Sequence, residues 1–259
     1  MGFGLMTLGS RFSVYSASVA GTSHLRRGAE RQDQVFHRSE PGFTVAVVSD
    51  GAGSARNSAL GALVTTRTAA STATWHLLQL AGPPGAAALE EALTCAVTAA
   101  RRSLEKMACQ TGEPLSSYAN TLLLAVQTDT LVGAAQVGDG GIVVSDCHGG
   151  FRLFTSPQRG EYANQTTFVT SGSGLESLEI RVSEARPRNL AMFSDGLQNL
   201  VIESATQQPF RPFFNNVFQW LEKQTDPRQV ESELAGLLRS PRVAAKSDDD
   251  ITLLLSIRR

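Results

Sequence analysis

The chain has 259 residues, 42% hydrophobic and 18% charged, a balance that supports a sizeable core and excludes a disordered polymer. Its 23 Lys and Arg stand against 24 Asp and Glu for a formal net charge of -1, which excludes the global field that draws in nucleic acid or an anionic membrane. Cys95, Cys109 and Cys147 are odd in number and lack metal-ligand spacing. They are expected as reduced thiols, and with no signal peptide and no bilayer-spanning apolar run the expected setting is the cytoplasm.

Phe12 to Val19 alternates weakly and Phe43 to Val48 is a short, β-branched apolar run, so both are expected as strands. Asn57 can cap a helix whose Leu60, Leu63, Val64 and Leu77 fit one face. Leu89, Leu93, Val97, Leu104 and Met107 repeat at helical spacing in a second, with the Gly82 to Gly85 cluster as the connection. Thr121 to Gln127, Leu131 to Val137 and Ile142 to Ser145 read as consecutive antiparallel strands, turning at Asp129 and at Gly138 to Gly141. Phe151 to Phe154 could continue them. The polar stretch from Ser156 to Arg188 reads as a long surface excursion of the kind that touches substrate. Asn189 to Phe193 is a strand, Gln198 to Leu238 mainly helix despite Pro209 and Pro212, and Ile251 to Ile257 a closing strand. Trp75, Trp220 and the Phe-rich 209 to 214 stretch are expected in the core, and Cys147 with His148 in a hairpin turn. With no linker-like tract, the whole of 1–259 reads as one α+β domain, strands in sheets flanked by paired helices.

Acidic turns abut the apolar runs: Asp50 in VVSDGAGSA, Asp139 in QVGDGG, Asp195 in FSDGL, and Asp248, Asp249 and Asp250 in SDDDIT. Carboxylates brought from distant sequence to one sheet edge repel unless a cation sits between them, and a hard divalent metal is the simplest such cation. Asp-Gly is a common turn, so any one of these alone is ordinary turn chemistry.

The ordered series SHLRRGAERQD at 23 to 33, VVSDGAGSA, QVGDGG, FSDGL and DDDIT resembles the type 2C, metal-dependent protein phosphatases, from about Ser18 to Leu255. It is most similar to their short stand-alone bacterial subgroup, to which GEYAN at 160 to 164 and PFRPFF at 209 to 214 add. The resemblance implies an αββα sandwich, two antiparallel sheets face to face with helical layers outside, and a binuclear Mn or Mg site at one edge. By position, Asp50 would bridge two metals, the Gly51 carbonyl would ligate one, and Asp195 and Asp249 would bind the second, with Asp248 competing for the place of Asp249. Asp139 would help hold a third ion, and Asp33 falls in the first motif. The implied reaction is hydrolysis of phosphoserine or phosphothreonine on proteins by a metal-bridging water, with a Ser/Thr kinase as counterpart. Two ions about 3.5 to 4 Å apart would hold the phosphate and activate that water.

Departures from the family pattern are equally specific. Gln32 stands where many members have Glu, so a ligand there becomes a neutral amide or acts through water. The phosphate-binding Arg falls on Gly28, leaving Arg26 or Arg27 to take over. Ala52 stands where many eukaryotic members have a His that protonates the leaving group; His24 or water would serve instead, or His24 simply holds the Arg26 loop. Gln32 and Ala52 leave room for a pseudophosphatase that binds phosphoproteins without turnover. A metal-dependent hydrolase or nuclease acting on smaller phosphoesters is the third reading, disfavoured by the neutral charge and the lack of an aromatic and basic track.

Overall fold

The computed structural model describes residues 11–145, 149–155, 157–158, 166–184 and 186–259. GEYAN, Cys147, His148, and 156, 159–165 and 185 of the surface excursion lie outside them. Among the described residues ten strands form two five-stranded sheets. One has the order β1 (Phe12–Val19), β10 (Ile251–Arg258), β9 (Asn189–Phe193), β6 (Gly141–Ser145), β7 (Phe151–Leu153). The other runs β2 (Gln34–Glu40), β3 (Phe43–Ser49), β4 (Leu122–Thr128), β5 (Val132–Val137), β8 (Glu179–Ser183). Every neighbouring pair is antiparallel. This is the expected αββα sandwich.

The strands read as continuous apolar runs because both faces of each sheet are covered. On β3, Ala46 and Val48 face the other sheet while Val45 and Val47 face helices; on β9, Leu190 and Met192 face inward while Ala191 and Phe193 face outward. The helical layer over β3 and β4 is α2 (Ser58–Leu78) and α3 (Ala86–Thr111). The layer over β9 and β10 is α4 (Asp195–Val201), α5 (Arg211–Glu222) and α6 (Pro227–Leu238), with short α7 (Pro241–Ala244) following. Pro212 and Pro227 lie in the first turns of α5 and α6, where no backbone N–H is needed for the helix, so neither interrupts it. Among the described residues no helix is long and apolar enough to cross a membrane.

Several sequence expectations change. Leu60 and Leu63 of α2 are exposed, and the buried face is instead Gly61, Ala62, Thr65, Thr66, Ala69, Ala70, Ala73, Thr74 and Leu77. Small residues fill most of this face because α2 lies close against α3 and the sheet, and of the expected leucines Leu77 alone is buried there. Trp75 is 60% exposed, outside the core for the same reason. Asn57 occupies the cap position of α2 without a side-chain bond. The excursion contains β8, which pairs with β5 from Val132↔Ser183 to Gln136↔Glu179. Further elements escaped the periodicity: β2, a polar edge strand, the six-residue α1 (Thr22–Arg27), the 3-10 turn Leu115–Tyr118 and the four-residue α7.

Gly61 fixes how close α2 comes. A Cβ there would fall 2.3 Å from the Tyr118 carbonyl oxygen, in the 3-10 turn Leu115–Tyr118 that leads to the site. Gly61→Ala is expected to destabilise the protein by about 1–3 kcal/mol, since backbone must shift to admit the methyl. Urea unfolding checks this, and an unchanged midpoint would show that the helix yields freely.

Candidate active site

One end of the sandwich collects the acidic turns. Asp50 follows β3, and its backbone is tied on both sides to the segment that opens β4: Thr121 N–H donates to the Asp50 carbonyl at 2.8 Å and Asp50 N–H to Thr121 Oγ1 at 3.0 Å. Gly51 bridges Asn120, and Ala52 N–H donates to Ala119 O. A Cβ on Gly51 would sit 2.9 Å from the Ser58 backbone, so this turn admits only glycine. Asp195 opens α4 directly after β9, and Gly196 lies so close to the Asp250 carbonyl that a Cβ would overlap it at 2.0 Å. The β9 and β10 ends are thus locked backbone to backbone.

Asp33 is buried between these turns. Its Oδ2 accepts from Ser194 Oγ and Thr252 Oγ1, each at 2.7 Å, and Asp50 lies within hydrogen-bonding reach. Its Oδ1 has no partner, and the same holds for Asp195 Oδ1 and Gln32 Oε1 among the buried polar atoms. Asp139, between β5 and β6, accepts from Thr166 Oγ1 and lies near enough to act on Asp195 electrostatically. Asp249 acts on both Asp50 and Asp195. Asp248 faces away, exposed and 3.6 Å from Arg26. Asp33, Asp50, Asp139, Asp195 and Asp249 therefore gather, while Asp248 stays outside.

Sequence reasoning missed the part taken by Asp250. Oδ1 of this buried carboxylate accepts Gly21 N–H and His24 Nδ1, each at 2.8 Å, and Oδ2 accepts Gln32 N–H and, at 3.4 Å, Asp33 N–H. One side chain immediately before the last strand thus closes the loop 21–33, including α1 and Asp33. Its signal was the third acid of SDDDIT, immediately before an apolar strand. His24 is buried by this contact, and Arg26 and Arg27 of the same helix are exposed. Arg31 is anchored elsewhere, on the Ser18 carbonyl at 2.6 Å.

The sequence profile of the family described as protein phosphatase 2C matches residues 20–239. The chain belongs to the protein phosphatase 2C family. It is 31% identical over 250 residues to serine/threonine-protein phosphatase 3 of Escherichia coli strain K12, spanning 93% of this chain and 96% of that protein. Among solved structures, Staphylococcus aureus serine/threonine phosphatase Stp1 covers 100% of both chains at 15% identity with a TM-score of 0.68. The Toxoplasma gondii serine-threonine phosphatase 2C covers 96% of this chain and 95% of its own at 16% identity, with a TM-score of 0.66. At those identities the structural likeness is one of fold.

In this 2C-family chain the acids repel. Burial raises the Asp33 carboxyl to about 7, against the hydrogen bonds of Ser194, Thr252 and Asp50 and with the charge of Asp250 adding to the rise. Burial likewise raises Asp195 to about 6, helped by Asp139 and Asp249, and pushes Asp50 well above the usual carboxylate range, with Asp33 and Asp195 adding their charge. No three His, Cys, Asp or Glu side chains among the described residues are drawn tightly enough to form a ready cage. The site nonetheless fits a hard cation: the unpartnered buried oxygens of Asp33 and Asp195 lie with Asp50, and the unpartnered Gln32 Oε1 lies beside Gly53 of the Asp50 turn, in a set made of oxygen donors alone.

A carboxylate whose pKa is higher folded than unfolded binds more protons in the native state, so its contribution to stability falls as pH rises from the unfolded value through the folded one. For Asp33 and Asp195 that window runs from about 3.8 to about 7 and about 6 respectively. Chelator-treated protein is therefore expected to melt higher, relative to Asp33→Asn, at pH 5 than at pH 8, and Mn²⁺ should restore the wild-type midpoint at pH 8. Thermal melts across this range test it; equal midpoint differences at both pH values would mean that Asp33 carries no uncompensated charge.

Proposed function

We propose that this protein hydrolyses phosphoserine and phosphothreonine monoesters on protein substrates, using Mn²⁺ or Mg²⁺ held at the acidic end of the sandwich. What carries the reading is the convergence of Asp33, Asp50, Asp139, Asp195 and Asp249, from both sheets, around buried oxygens that lack partners. Asp50, the Gly51 carbonyl, Asp195, Asp249 and the free oxygen of Asp33 are the groups that would hold two ions, and Asp139 would help hold a third. Gln32 contributes a neutral amide oxygen in place of a charged one. Two such ions, when bound, screen the phosphate dianion and lower the pKa of water toward neutrality.

The remaining residues bind and orient. Arg26 and Arg27 present guanidinium groups to a phosphate, a match of planar donors to oxygens. Asp250 holds the loop that carries them, and His24, buried on Asp250, steadies α1. His24 thus has Nδ1 committed to a structural bond with Asp250, and protonation of the leaving group is assigned to water. Thr166 fixes the Asp139 carboxylate from the excursion that precedes β8. A Ser/Thr kinase is the counterpart that supplies the phosphoester, and the free Cys95 and Cys109 suit a reducing, cytoplasmic setting. The relative from Escherichia coli carries the name of a serine/threonine phosphatase over nearly the whole chain, which supports turnover over a binding-only module.

Purified protein is expected to release phosphate from a phosphothreonine peptide with Mn²⁺ and not with EDTA, and Asp50→Asn to lower kcat by at least about a hundredfold. Undiminished turnover in that variant would overturn the assignment of the centre. His24→Ala is expected to raise KM for the peptide several-fold with little change in kcat, and His24→Asn, which keeps a donor for Asp250, to recover much of it. A collapse of kcat at constant KM would instead make His24 the acid.

A further inference from the structure

Beside the acidic centre, α1 displays a residue that phosphate chemistry leaves without a part. Leu25 is 66% exposed, between the buried His24 and the exposed pair Arg26 and Arg27. It borders a cavity of about 180 Å³ whose buried walls include Val19, Leu238 and Ile251, with Ala244 beside them and Arg239 at the exposed edge. The space admits one aliphatic side chain and is smaller than the roughly 300 Å³ at which ordinary small-molecule pockets begin.

Position argues for what fills it. The cavity shares Gly21 and Thr22 with the loop closed by Asp250. Gly21 is packed so tightly that a Cβ would fall 2.2 Å from the Asp249 carbonyl carbon, and Ser23 N–H donates to Asp248 O at 2.9 Å. The cavity wall and the candidate ligand Asp249 are therefore adjoining backbone. Leu25 is also held outward: with His24 turned in on Asp250 and Gly28 closing the helix in the left-handed conformation, the side chain has a fixed place on the surface. Arg239 lines the cavity, and the exposed Arg26 and Arg27 follow Leu25 directly on the same short helix, with Asp248 3.6 Å from Arg26. A chain that carries an anionic phosphate and an aliphatic neighbour matches both features at once.

We infer that Leu25 and the cavity beneath it form a subsite for an aliphatic side chain flanking the phosphoresidue of a protein substrate. The inference rests on the phosphoprotein reading above and adds to it a preference. Burial of a branched side chain gives discrimination of tenfold order in hydrophobic pockets, reduced here because the cavity is open on one side.

The test uses fluorescent peptides with a non-hydrolysable phosphonate in place of phosphothreonine, identical except for Leu or Gln at the flanking positions, with binding read by anisotropy in the presence of Mn²⁺. The wild type is expected to bind the Leu peptide at least about fivefold more tightly than the Gln peptide. Leu25→Gln, at an exposed position, and Ala244→Leu, which fills the cavity, should each narrow the ratio to within about twofold at an unchanged melting midpoint. Equal affinities in the wild type, or an undiminished ratio in the two variants, would overturn the subsite. Turnover of the matching phosphothreonine peptides and of an aryl phosphate is measured alongside: discrimination in binding without any hydrolysis would leave the subsite standing and remove the phosphatase reading.

Discussion

Mutual repulsion among buried carboxylates is the constraint around which this molecule is organised. Asp33, Asp50 and Asp195 would relax apart if their backbones were free, and each is held by bonds that carry no charge. Asp50 is stapled to Thr121, Asp195 follows a strand end locked to Asp250, and Asp33 is gripped by Ser194 and Thr252. The rigidity that keeps like charges close is what suits the cluster to the cation proposed for it, because a flexible cluster would scatter or neutralise itself.

The double sandwich supplies that rigidity. Both sheets are covered on both faces, so the strands bearing the acidic turns lie in a close-packed interior, and their ends have little freedom. Asp50 comes from one sheet, Asp195 and Asp249 from the other, and Asp139 from the connection between them, so the centre sits where the two sheets meet. Glycines at 21, 51 and 196 let the backbones of these turns approach to distances that any side chain would forbid.

The sequence made much of this legible. The runs around Phe43, Leu122 and Ile251 are apolar enough to read as buried strands, and the acidic turns that follow or precede them announce themselves by repetition. What stayed hidden depended on contacts between distant segments. The buried face of α2 is made of Ala, Thr and Gly, residues that a search for leucines passes over, and its leucines at 60 and 63 look outward. β2 alternates poorly because it is an edge. Asp250 reads as one more acid in a run of three, and only the approach of Gly21, His24 and Gln32 from the other end of the chain gives it its part.

The order of assembly follows from the place of β10. This strand, formed by Ile251–Arg258, lies between β1 and β9, and the residues just before it contribute Asp249 and Asp250. A chain emerging from the ribosome has its arginine loop, its Asp50 turn and its α4 acid long before it has the strand that joins them. Without β10, loop 21–33 lacks its Asp250 anchor and β1 is parted from β9, so the acidic cluster depends on a pairing between the two ends of the described chain, of the long-range kind that forms slowly.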